Sequence, residues 1–183
     1  AYNVYRSFFE FDTSGVSVTP TDATLKIYGF FGSSADFFVV KADTATDGAI
    51  VAADFDAIVG WSSGADNSSN VTKYSSEVTS WSTSGYNDIT LNAAALTSMV
   101  DDDVLKICCI ESTKDLPNDE LTSNFNANSG MYYTEYTGTT RDPKIDFTAG
   151  AAGYGNDVMG VASANIEKVS GVATANVEKV IGV

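Results

Sequence analysis

Between residues 5 and 147 the chain is built from short β-branched and aromatic runs, each closed by a cluster of Gly, Ser, Asn or Asp. No apolar pattern in this stretch keeps a period of 3.6 for longer than about ten residues. That rhythm excludes helical bundles and βαβ folds, which need long amphipathic helices between strands. Eight candidate strands are read at 5–12, 23–30, 37–42, 70–74, 86–91, 104–111, 131–136 and 144–147. Turn signals fall between them at Thr13-Ser14-Gly15, Gly32-Ser33-Ser34, Ser84-Gly85 and Asn128-Ser129-Gly130. Several runs alternate imperfectly, as strands in a two-sheet core do. Two segments read as short helices: residues 51–59, where Phe55, Ile58 and Val59 share one face, and the Ala-rich 93–100. Each is too short to nucleate alone and must cap a β core. The expectation is an all-β sandwich of about eight antiparallel strands with short capping helices.

The composition changes after Phe147. Residues 149–159 form a Gly/Ala-rich linker. Residues 160–183 then repeat with a period of 11: Gly160 to Ser170 is followed by Gly171 to Ile181 with eight of eleven positions identical, and Gly182-Val183 begins a third copy. An 11-residue period suits a slightly right-handed helical supercoil. Each copy also carries a Gly and several β-branched residues, which suits a strand and turn, and the composition leans to the extended form. Two copies cannot enclose a core of their own, so the apolar positions Val161, Ile166, Val169, Val172, Val177 and Val180 must bury against something else. Three units follow: a sandwich over 1–148, a linker over 149–159 and an assembly arm over 160–183.

The chain has no histidine, and its net charge is −14 from 24 acids against 10 bases. A Ser–His–Asp triad, a Cys–His pair and a His-ligated zinc or haem are therefore impossible. Arg6 and Arg141 are the two arginines, and the acidic excess repels phosphate, so nucleic acid is not an expected partner. No run approaches the ~18 apolar residues of a membrane span, so membrane insertion is not expected either. The first residues carry no signal-peptide pattern, and an Ala1 start fits a trimmed initiator Met better than a cleaved leader. Two sequons, Asn67-Ser68-Ser69 and Asn70-Val71-Thr72, lie in a Ser-rich loop and matter only in a eukaryotic secretory setting. The two cysteines are adjacent, Cys108 and Cys109, inside an apolar run; in a strand their thiols point to opposite faces and act as small buried hydrophobes.

The strand pattern resembles that of DNRLRE-type jelly-roll modules. The residues that carry the likeness are Arg6-Ser-Phe-Phe-Glu-Phe-Asp12, Pro20, Ala23-Thr-Leu-Lys-Ile-Tyr28, Gly85-Tyr86-Asn87 with Ile89 and Leu91-Asn92, and the ending Tyr133-Thr-Glu-Tyr136 with Arg141-Asp-Pro-Lys-Ile-Asp-Phe147. The likeness spans about four-fifths of the chain and implies a jelly-roll β-sandwich. Such modules occur in secreted bacterial polysaccharide-active proteins, some of which bind glycans, and in bacteriophage structural proteins. The arm, with Gly160-Val161-Ala162-Ser163-Ala164 and its copy, is similar to repeats at the ends of virion proteins of aquatic phages. Together these imply a virion component of capsid-decoration or fibre type, whose partners are sister subunits or other virion proteins. The alternative is a carbohydrate-binding module of a secreted or surface protein that meets cell-surface glycans.

Candidate sites are few. Asp101-Asp102-Asp103 precedes a buried strand and could offer oxygens to Ca²⁺, with 115–120 as a further acidic loop; neither has EF-hand spacing. No other cofactor is expected. Trp61 and Trp81, beside Ser-rich loops, are the candidates for stacking on sugar rings, ahead of Tyr132 and Tyr133. Among 24 acids some pair always lies at glycosidase spacing, so that signal carries no weight, and no nucleophile elbow, phosphate loop or metal spacing is present. The chain is therefore expected to be non-enzymatic. Arg6 and Glu135 are expected to form a structural ion pair.

Overall fold

The computed structural model describes residues 3–32, 35–45, 48–120, 126–134 and 138–150, and the backbone of 168–169 and 172–173. Seven strands form two antiparallel sheets: β1 (Ser7–Asp12), β2 (Asp22–Gly32), β3 (Phe37–Lys41), β4 (Tyr86–Thr90), β5 (Val104–Glu111), β6 (Ser129–Met131) and β7 (Lys144–Thr148). The first sheet has the order β1-β5-β3, and in the second β2 pairs with β4, β6 and β7. Consecutive strands from β1 to β5 thus alternate between the sheets, so each connection crosses from one layer to the other. The result is an all-β sandwich with one α-helix, as the strand rhythm predicts.

Alternation along β2 explains the second sheet. Ala23, Leu25 and Ile27 are buried, while Thr24, Lys26 and Tyr28 face outward. The inward set meets Ile89 of β4 and, from the facing sheet, Phe9, Val39, Leu105 and Ile107. Helix α1 (Ala93–Asp101) closes one end. Asn92 caps it by accepting from the Ala94 and Ala95 amides at 3.0 and 3.2 Å, and its face Ala95, Ser98 and Met99 packs inward. The other segment read as helical shortens to a single 3-10 turn, Ala52–Asp56.

The first sheet is covered on both faces. Phe8, Val40, Cys108 and Ile110 point away from the second sheet and pack on Ile58, Val71 and Leu116 from the loops. This is why residues 104–111 read as one continuous apolar run. Cys109 belongs to the core between the sheets and Cys108 to the core beneath the loops, so the adjacent thiols diverge. Both are buried and free.

Three expectations shift. Residues 70–74 do not form a ladder strand; within them Lys73 makes a single isolated bridge, to Val40. Among the described residues the strand expected at 131–136 sits earlier, at Ser129–Met131, because β2 runs on to Gly32 and pairs there with Ser129 and Gly130; residues 135 and 136 lie outside the described residues. In the arm, Lys168–Val169 pairs antiparallel with Val172–Ala173 around Ser170-Gly171, which is the extended alternative over those four residues. Val161, Ile166, Val177 and Val180, and most of the linker, lie outside the described residues.

Burial pushes the Cys109 thiol from its ordinary 9.0 up to about 12. A thiol whose pKa is raised by folding stabilises the fold fully below pH 9, and that contribution is lost as pH climbs from 9 toward 12. Urea midpoints should therefore fall between pH 8 and 11, and by less in Cys109→Ala. At pH 8 neither cysteine should react with a thiol reagent until the chain is unfolded; fast labelling of the native protein would contradict the two-sided packing.

Candidate functional site

A cleft lies where the two sheets part along one side. After the 3-10 turn the chain runs beside β3: Lys41 N donates to Thr72 O at 2.8 Å, Tyr74 N to Val39 O at 2.7 Å, and Val78 N to Phe37 O at 2.8 Å. At the bulge between these contacts the Ser75 hydroxyl accepts from Val39 N at 3.1 Å in place of a carbonyl. The same segment then touches the second sheet. Asn92 N donates to Tyr74 O at 2.8 Å, and Ser75 bridges Leu91. Further on, the Asn87 side chain mimics a strand: its Oδ1 accepts from Ser82 N at 2.7 Å and its Nδ2 donates to Ser82 O at 3.0 Å. Between these two ties the layers separate around a groove of about 770 Å³ lined by Glu77, Thr79, Trp81, Asn87, Asp88 and Thr90.

The floor of the groove is the free edge of β4. Leu91 N donates to Ala23 O and Gly29 N to Gly85 O, so the odd-numbered residues of 85–91 turn their backbone groups toward β2. Asp88 and Thr90 turn theirs outward. Their N–H groups and the Asp88 carbonyl have no hydrogen-bond partner among the described residues. Gly29 fixes one wall, because a Cβ there would overlap the Ser82 carbonyl and the Trp81 ring.

Of the two tryptophans only Trp81 lines this groove. It is half-buried, stands edge-on to Phe37 with 5.5 Å between centroids, and donates from Nε1 to Gly130 O at 3.3 Å. Trp61 lies elsewhere, with the Arg6 guanidinium 4.1 Å from its ring centre. That guanidinium also covers Phe55 at 4.2 Å, binds both oxygens of Asp115 at 2.7 and 2.8 Å, and donates to Asp56 at 2.7 Å and the Phe55 carbonyl at 2.6 Å. Its side chain is 2% exposed. Burial alone opposes the charge, but hydrogen bonds to Asp115 and Asp56 outweigh it and raise the Arg6 pKa. Arg6 thus forms ion pairs with Asp115 and Asp56; its expected partner Glu135 lies outside the described residues.

The acidic triplet serves the helix end and β5. Asp102 Oδ2 accepts from Lys41 Nζ at 2.7 Å, and the Asp102 and Asp103 carbonyls accept from Thr13 Oγ1 and N at 2.7 and 2.9 Å. Lys41 also reaches Ser98 Oγ at 3.1 Å, which accepts from the buried Tyr74 hydroxyl at 2.7 Å. The bond to Asp102 raises the Lys41 pKa, and burial raises that of Tyr74. In the second acidic loop Asp115 is held by Arg6 and Asp119 by Lys114 at 3.3 Å. Among the described residues no three His, Cys, Asp or Glu side chains are grouped to hold a metal ion, and no helix is long and apolar enough to cross a membrane.

The sequence carries little sign of the groove. Its one signal is Asn87, an amide on the inward series Asn87, Ile89, Leu91, where a strand facing a core carries an apolar residue. Comparison with known proteins finds no matching family model, no similar curated protein and no similar solved structure.

Arg6→Ala should cost about 3 kcal/mol, since it leaves Asp115 unpaired near a buried face and empties the space between two rings; a urea melt measures it. Arg6→Lys should recover less than half, lacking the fork and the flat stacking surface. An unchanged midpoint in Arg6→Ala would remove the structural role. Gly29→Ala should likewise destabilise, and tryptophan fluorescence should report a displaced Trp81.

Proposed function

We propose that this chain is a non-enzymatic structural component of a bacteriophage virion, of capsid-decoration or fibre type, in which a jelly-roll sandwich is joined to its neighbours through the arm at 160–183. The observation that carries this reading is the 11-residue repeat, with eight of eleven positions identical and Val-rich. A repeat too short to bury its own apolar positions gains stability only against another surface. Charge supports the same division. Each copy holds one Glu and one Lys (Glu167, Lys168, Glu178, Lys179), so the repeats are neutral and the acid excess sits on the sandwich. Like-charged sandwiches repel, which keeps them soluble and leaves the arm as the contact element. Alternation of β1 to β5 between the sheets, together with the motif likeness, supports the jelly-roll form.

A second reading, glycan binding, is favoured by one observation: Trp81 shares its groove with the polar side chains of Asn87 and Asp88. A glycan array separates the two, because selective sugar binding abolished by Trp81→Ala supports the second.

Removing residues 151–183 tests the first. The truncated protein should keep its melting temperature within a few degrees and lose self-assembly or docking to purified particles, read by light scattering and sedimentation. Normal assembly without the arm overturns the proposal.

A further inference from the structure

The groove and the arm are two features that the sandwich itself leaves unused. We propose that the open edge of β4 is an acceptor for the repeat arm of a second copy of this chain, which adds to it as a strand. This rests on the assembly reading above and names the surface the arm meets.

Three observations select this occupant. First, the groove offers main-chain groups: the Asp88 and Thr90 amides and the Asp88 carbonyl are unpaired among the described residues and lie between two fixed ties, at Leu91 and at Asn87. An added strand satisfies such an edge with backbone hydrogen bonds, needing only a chain that is already extended. The arm is extended where its backbone is described, at Lys168–Val169 and Val172–Ala173. Second, charge does not oppose the arm, because each repeat is neutral. The groove rim carries Glu77 and Asp88, and Lys26 is shared between Asp88 and Asp146 at 3.2 and 3.5 Å, leaving an acid in surplus. Each repeat brings a lysine, Lys168 or Lys179, able to stand across from Asp88 as an opposite-charge cross-strand pair. Third, the last described strand before the arm, β7, lies on the other side of β2. β4 and β7 both pair with Thr24 to Lys26 of β2 and therefore flank it, so the acceptor edge and the strand that precedes the arm in sequence lie on opposite sides. A donor on one edge and an acceptor on the other make a head-to-tail contact, which propagates into a ring or a filament.

The test uses the full-length chain in its assembled form. Hydrogen exchange read by NMR or mass spectrometry should show the Asp88 and Thr90 amides slowed about 100-fold relative to dilute monomer. Thr90→Pro removes only an outward N–H, a substitution an edge strand accepts, and it should lower the assembled fraction at least about tenfold at equal concentration while leaving the melting temperature in place. Should that variant fail to fold, exchange in the unaltered protein decides alone. Assembly that depends on residues 151–183 but leaves both amides exchanging freely overturns this inference and spares the reading beneath it. Assembly that ignores residues 151–183 overturns both. Slow exchange of these amides in a dilute monomer assigns the groove to the chain's own arm, and protection by an added oligosaccharide alone assigns it to a glycan; either result overturns the second-copy proposal.

Discussion

The constraint on which the rest depends is that β5 is apolar on both faces. A strand with Leu105, Ile107 and Cys109 on one side and Cys108 and Ile110 on the other needs two covers. The second sheet supplies one. The other is made of loops, and loops carry backbone groups that no ladder satisfies. Side chains do that work here. The fully buried Asn67 accepts from Ser62 N at 2.8 Å and donates to the Ala65 carbonyl at 2.8 Å; Asp54 accepts from Val51 N at 2.9 Å; and the Glu111 carboxylate takes the amides of Thr113, Lys114 and Asp115 at 2.7 to 3.0 Å. Arg6 then locks the layer as a whole, because its one guanidinium joins the start of β1 to the 3-10 turn, to Trp61 and to the loop after β5.

How much of this was legible follows from which interactions are local. Strands whose side chains alternate, such as β2, show in the sequence, because one buried face imposes a period of two. β5 shows for the opposite reason, as an unbroken apolar run. What did not show is whatever depends on partners far along the chain. Arg6 and Asp115 are 109 positions apart, and nothing near either residue announces the other. The same holds for residues 70–74, whose β-branched composition predicts a strand. The chain there has to serve two sheets at once, meeting β3 at Lys73 and Val78 and β4 at Ser75, so the regular ladder gives way to single bridges. Trp61 and Trp81 stand beside Ser-rich runs that suggest open surface, yet each ring is partly covered by a residue remote in sequence, Arg6 or Phe37.

The groove follows from that shared segment. Two sheets that twist with the same hand and pack face to face diverge along their sides, so a chain bonded to both must leave one of them somewhere. Here the departure lies between Ser75 and Ser82, bounded by the Leu91 bridge and the Asn87 amide. The Asn87 side chain is costly in a core-facing position unless it is fully bonded, and its bonds to Ser82 and to the Ile27 carbonyl at 3.3 Å meet that requirement. An apolar residue at 87 would remove the tie and let the wall bearing Trp81 drift from β2, and Gly29 is the matching concession on the other side, where any larger residue would push that wall away.

Charge then decides what such an open edge can receive. An unprotected edge strand is ordinarily a hazard, since any other edge can pair with it, and a surface of net charge −14 is one defence against that. Whole sandwiches repel one another, while a segment that carries no net charge approaches without that penalty. The neutral repeats, rich in β-branched residues and with a glycine in each copy, are a part of the same chain that meets this condition. On this view the acidic sandwich and the neutral arm are two halves of one specification: the acids reject edge-to-edge association of bodies, and the arm is the form of strand that the charge still admits.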